Sequence, residues 1–208
     1  IREIKSYSLN LALHPFTKRF ALLMVPIVLG ASISQLGVVV ERVLASRLPE
    51  GSISYLGYAN SLVLLPSGVF MGVIGTVIFP TLSQQATRED WQELRRSFSA
   101  GVRMGNLVLI PSAMVFLFFG NLIIQVLFER GQFLPSMTEG TARALAFYSI
   151  GLLVWAPFSM AQYSFFALQR YWPAVRVVIC CTSIGILLRF LLVKPLVYMG
   201  LALATSLT

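Results

Sequence analysis

The residues of this sequence that could do chemistry are few, and most of them stand at the ends of long apolar runs. Glu41 and Arg42 adjoin where the uncharged run Phe20–Val40 stops, six and seven positions after Gln35. Asn60 and Ser61 open the most apolar part of the next run, and Ser67 and Thr76 add hydroxyls about two and four turns further on. Arg189 stands alone inside a later run, and Glu129–Arg130 closes another. An acid and a base at a helix end either mark the exit into lipid headgroups or face a polar cavity. Both readings stand for Glu41 and Arg42. Arg189 is expected to snorkel to the outer interface, and Glu129–Arg130 to serve as a structural loop pair.

Enzymatic chemistry finds less support. The single histidine, His14, precedes a proline, and no second histidine or cysteine cluster gives it a metal site or a nucleophile pair. No span carries a central carboxylate pair, and no glycine-rich loop follows a strand pattern. Cys180 and Cys181 are adjacent inside an apolar run, which suits packing better than a disulfide. These patterns imply no enzyme, metal or cofactor. A membrane-embedded enzyme on polyprenyl lipids would need its catalytic constellation elsewhere.

The elements that must position these residues are membrane helices. Apolar residues make up 57% of the chain, charged residues only 12%, and the mean hydropathy is +0.79, outside the usual range of a soluble domain. A net charge of +8 in a soluble chain would suggest nucleic acid, but here the basic residues sit between apolar runs, as headgroup anchors do. No nucleic-acid partner is expected; membrane lipids are. The longest uncharged run, Gly51–Thr87, has 37 residues, where about 20 suffice to cross the hydrocarbon core.

Reading in order predicts an interfacial lead-in over 1–19, expected to be cytoplasmic, and a transmembrane bundle over 20–208. The spans fall at 20–43, 55–82, 98–127, 141–168, 174–193 and, cut short, 200–208. The chain starts at Ile1 and stops within an apolar run, as a fragment would. Within the spans, Pro26, Pro66, Pro111 and Pro157 are expected to kink helices, and Gly68, Gly72 and Gly75 to let a neighbouring backbone approach along one side. The spacing of these prolines suits either a repeated hairpin or ordinary bundle packing. Two capping boxes are predicted, Thr87 with Asp90 and Ser136 with Glu139. Alternate loops carry ten and six basic residues, which places the lead-in and the loop around Arg88–Arg96 in the cytoplasm.

Five separated runs carry a resemblance: LASRLPEGSISYLGYAN (44–60), LPSGVF (65–70), GTVIFPTLS (75–83), LFERGQF (127–133) and GLALATSL (200–207). In order and spacing they resemble the MurJ/MviN family of lipid II flippases. The resemblance implies an all-α polytopic fold, about six helices of a fourteen-helix, two-lobed exporter of the multidrug/oligosaccharidyl-lipid/polysaccharide type. It implies a bacterial cytoplasmic membrane protein with a lipid-linked oligosaccharide as substrate and no assigned coupling ion. It also implies that Gln35, Glu41, Arg42, Asn60 and Ser61 line a substrate cavity in the outer half of the bundle. At Ser61 the chain departs from the family, where an arginine thought to meet the substrate's diphosphate often stands, and Leu64 replaces a residue that is acidic in some members. A hydroxyl supplies none of a guanidinium's charge. The departure leaves room for a different cargo, or for a scaffold that does not transport.

Overall fold

The structure, a computed structural model, describes residues 15–131 and 133–208, with side-chain surroundings from Met24 onward. His14, Gln132 and most of the lead-in lie outside the described residues. The described chain forms helices α1 (Pro15–Ala45), α2 (Ser52–Val73), α3 (Phe79–Thr87), α4 (Trp91–Phe128), α5 (Pro135–Ala167), α6 (Tyr171–Leu196) and α7 (Tyr198–Ser206). A π-helical turn, Ile74–Ile78, joins α2 to α3 without a break. Five segments are long and apolar enough to cross a membrane: Met24–Ala45, Ser52–Thr87, Trp91–Phe128, Pro135–Ala167 and Tyr171–Leu196.

Helix α5 is the centre of the arrangement. It packs along α4 and α2 on one side and against the short α7 on the other, while α7 in turn rests on α6, and α6 carries α1. Helix α1 touches α2 only lightly. The result is a bundle of α2 to α5 and an α1–α6 pair, bridged by α7, with an open cleft between them. One apolar core gathers Leu44, Leu56, Leu62, Ile124, Leu145 and Leu201; the other gathers Phe70, Ile74, Leu82, Leu109, Leu152 and Met160. Large apolar side chains such as Leu107, Phe118, Leu65 and Val69 face outward, as a lipid solvent requires.

The prolines leave the helices continuous. Pro26, Pro66, Pro111 and Pro157 all lie inside continuous helices. Beside Pro66, the Ser67 hydroxyl donates to Val63 O at 2.9 Å. The irregularity comes about two turns later, where Phe79 N–H donates to Ile74 O, five residues back. Pro80 follows at once. It has no N–H, and its ring would press on the carbonyl four residues earlier in a regular helix, so a wider turn just before it relieves the clash.

The small residues also act elsewhere than predicted. A Cβ on Gly68, Gly72 or Gly75 would meet nothing within 4 Å, so among the described residues no backbone approaches there. Close approach belongs to α4, where a Cβ on Gly105 would lie 2.6 Å from Ala156 Cβ and one on Gly101 2.5 Å from Met160 Cε. It recurs at Gly200, whose bare Cα lets α7 lie on the Leu192 carbonyl. Val197, at φ 53°, takes the strained left-handed turn that ends α6 and starts α7.

Both predicted capping boxes are corrected. Asp90, not Thr87, caps α4 by accepting from Glu93 N at 3.1 Å, while Thr87 donates back to Ser83 O. Helix α5 starts at Pro135 after Leu134 with no side-chain cap, and Glu139 instead pairs with Arg143. A proline at the first helical position loses no bond that the helix needs, so the cap is dispensable there.

Candidate functional site

A charge within an apolar run must find a partner, and the structure shows which one. Glu41, near the end of α1, receives three hydrogen bonds from three other helices. Tyr148 Oη on α5 donates to Oε1 at 2.7 Å. Arg189 Nη2 on α6 and Thr205 Oγ1 on α7 both reach Oε2, at 3.3 and 2.6 Å. Arg189 Nη2 also donates to Thr205 Oγ1 at 3.0 Å.

Arg189 is thus not a snorkelling residue. It is only 6% exposed, and its guanidinium turns inward against Glu41 at the helix interface. Gly185 makes room for it, since a Cβ there would stand 3.0 Å from Arg189 Nη1, whereas a Cβ on Gly37 would make an ordinary contact at 3.6 Å. In lipid, an arginine facing inward with a carboxylate partner costs less than one facing hydrocarbon.

Two recesses flank this cluster. One, of about 300 Å³, is lined by Glu41, Arg42, Asn60 and Tyr148 together with apolar residues of α1 and α2. The other, of about 350 Å³, is the cleft between α1–α6 and α5–α7, and Glu41, Arg189 and Thr205 line it with Ser34, Ser159 and Gln162. Glu41 belongs to both. The polar centre of the chain is a carboxylate shared by two openings.

Of the five cavity residues expected from sequence, the fold collects three, Glu41, Arg42 and Asn60, around the smaller recess. Gln35 and Ser61 line neither recess. Gln35 is exposed on α1, and Ser61 is exposed on α2 with its hydroxyl donating to Gly57 O at 2.9 Å. Glu129 accepts from Thr138 Oγ1 at 2.8 Å and ties the end of α4 to the start of α5, the structural role anticipated for it. Cys180 is exposed and Cys181 partly buried, and both are free.

Sequence reasoning missed Tyr148 and Thr205 altogether, and misplaced Arg189. The signal for Arg189 was available: with Glu41 it completes a pair of opposite charges near helix ends, and such charges seek each other. Tyr148 and Thr205 carry no such mark. A tyrosine or threonine in an apolar run becomes a ligand only when packing brings a carboxylate to it.

Comparison with known proteins places this geometry in a family. The family model described as Lipid II flippase MurJ matches residues 7–208. Over 191 residues the chain is 30% identical to the Lipid II flippase MurJ of Burkholderia cenocepacia, covering 92% of the chain and 37% of that protein. It is 31% identical over 194 residues to the Probable lipid II flippase MurJ of Vibrio cholerae, covering 93% of the chain and 37% of that protein. The corresponding protein of Helicobacter pylori strain J99 is 32% identical over 210 residues, covering 98% of the chain and 44% of the relative. The chain therefore spans about two fifths of the length of the relatives it matches. Its fold superposes with a TM-score of 0.79 on the solved structure titled Lipid II flippase MurJ, inward closed conformation, at 27% identity, covering 93% of this chain and 41% of that one. Sequence and fold agree over nearly the whole length, and this chain belongs to the MurJ family of lipid II flippases.

Proposed function

We propose that the chain is the second-lobe portion of a flippase that carries a lipid-linked cell-wall precursor, lipid II, across the bacterial cytoplasmic membrane. The observation that carries the reading is the convergence of Glu41, Arg42, Asn60, Tyr148 and Arg189 on open recesses among helices whose outer faces are apolar. A diphosphate–sugar headgroup cannot cross hydrocarbon unaided, because desolvating its charges costs many kcal/mol. A polar path between helices removes that cost while the lipid tail stays in the bilayer. Two lobes rocking about a central cavity would expose the path to each side in turn. The protein acts by transport and not by chemical conversion. The more basic side, with Arg88, Arg95, Arg96 and Arg103, faces the cytoplasm in this reading.

Ser61 and the open glycine face of α2, Gly68, Gly72 and Gly75, line neither recess. In this reading that face lines the cavity between the lobes, and phosphate recognition on this half falls to Arg42. Ser61 favours a second reading, in which the cargo is another lipid-linked oligosaccharide or the fold is a scaffold that no longer transports. Complementation of a strain depleted of its own lipid II flippase separates the two. The full-length natural protein should restore growth, and Arg42→Ala should impair it. If the natural protein fails and Ser61→Arg rescues it, the cargo differs from lipid II. If neither version restores growth although both reach the membrane, the scaffold reading holds. A charge-assisted bond to phosphate is worth about 1.5–3 kcal/mol, so a change of roughly tenfold to a hundredfold in affinity should be visible in growth.

A further inference from the structure

Ser61 is exposed on α2, and its hydroxyl proton is already committed, donating to Gly57 O at 2.9 Å. What the side chain offers outward is lone pairs alone. The diphosphate of a lipid-linked headgroup has only acceptors at neutral pH, so it gains nothing from such a group, and a serine brings no guanidinium to hold it. A saccharide is the opposite case. It carries no charge on its ring, and its hydroxyl and amide protons are there to be donated.

Nearly one turn away on the same exposed side of α2 stands Tyr58, 39% exposed. Its ring is braced by two others. Phe128, the last residue of α4, lies 4.9 Å from it between centroids, and Phe133 meets it edge-on at 5.3 Å. Both are held in turn: Gly131, at φ 61°, reverses the chain, and Phe133 N–H donates to Arg130 O at 3.1 Å. Thr138 Oγ1, donating to Glu129 Oε2 at 2.8 Å, ties the same turn to α5. An aromatic ring fixed by its neighbours and open elsewhere is a preorganised platform. Its negative face suits the positively polarised C–H face of a pyranose.

Asn60, the neighbour of Ser61, lines the recess that also holds Arg42. A cation fit for phosphate thus stands beyond an uncharged acceptor and an aromatic ring, the order in which diphosphate and sugar follow each other in the headgroup. We propose that Tyr58 and Ser61 form the saccharide subsite of the transport path, the pyranose stacking on Tyr58 and donating a proton to Ser61 Oγ. The assignment rests on the transport reading above and divides the headgroup, with the diphosphate left to Arg42.

The test is equilibrium binding to the full-length protein in nanodiscs with three lipids: lipid II, a polyprenyl diphosphate bearing N-acetylglucosamine without peptide, and the polyprenyl diphosphate alone. Tyr58→Leu should weaken binding of both sugar-bearing lipids by roughly tenfold and leave the sugar-free lipid unchanged, which also shows that the variant is folded. Tyr58→Phe keeps the ring and should bind all three as the natural protein does, while Ser61→Ala should weaken the sugar-bearing pair by a smaller factor. An equal loss for all three lipids would mark Tyr58 as a structural brace, and a loss for lipid II alone would assign it to the peptide; either result overturns the proposal. If the natural protein binds the three lipids and Tyr58→Leu alters none, the subsite alone is lost. If it binds none of them, the transport reading falls and the subsite with it.

Discussion

Arg189 is the residue on which the structure most changes the reading of the chain. A buried ion pair gains little over an apolar replacement, but losing one partner strands the other, at a cost of about 3–5 kcal/mol. Arg189→Ala should therefore lower the unfolding free energy by that order, and Glu41→Gln added to it should recover most of the loss. Reversible unfolding of the purified protein in mild detergent measures both, and strictly additive losses would show that the pair is not coupled. Thr205→Val tests the third member. It removes a hydroxyl that binds both charges at nearly constant volume, and should cost about 1–3 kcal/mol in the same measurement.

Glycines distinguish the helices. In α4 and α7 they are filled from outside: Gly105 meets Phe70 and Ala156, and Gly200 meets the Leu192 carbonyl. Gly105→Leu and Gly200→Ala should each destabilise by more than about 1–3 kcal/mol, since neither α5 nor the α6 backbone can retreat without losing its own contacts. Gly68→Ala and Gly72→Ala should leave thermal stability intact or raise it by up to about 1 kcal/mol, because among the described residues the space beside them is open and alanine favours the helix. Bulk is the more telling change on that face. If Gly72→Leu leaves stability intact yet abolishes complementation, the face meets substrate or the rest of the protein; if complementation survives, the α2 face has no part in transport.

For the whole molecule, orientation is the property most open to a direct test. Helices α2 and α3 with the π-turn form one stretch, Ser52–Thr87, about 50 Å long at 1.5 Å per residue, so its ends lie on opposite sides of a bilayer. Ser52 is a poor probe, being 2% exposed with its hydroxyl on Pro49 O. Single cysteines at exposed Ser54 and Gln84 serve instead. A thiol reagent that cannot permeate should label the first from outside intact cells and the second only after permeabilisation. The reverse pattern would invert the assignment drawn from the basic residues.

Much of the architecture was legible in the one-dimensional record. Runs of 21 to 37 uncharged residues can only be buried or in lipid, and each lies almost wholly within one continuous helical stretch. The family was legible too, because LPSGVF, LFERGQF and the other runs keep their order and spacing. Tertiary structure alone decided which side of each helix faces inward. In water, an amphipathic stripe announces the buried face; in lipid, both inside and outside are apolar, and the pattern that would betray the interior is largely erased. That is why the predicted glycine face of α2 is open while Gly101 and Gly105 are filled, and why Ser61 separates from Glu41, Arg42 and Asn60 although it neighbours Asn60 in sequence. It is also why Arg189 looked like an interfacial anchor. Its partner, Glu41, lies 148 positions away, and only the packing of α1 on α6, with α7 folded back at Val197, brings carboxylate, guanidinium and Thr205 together.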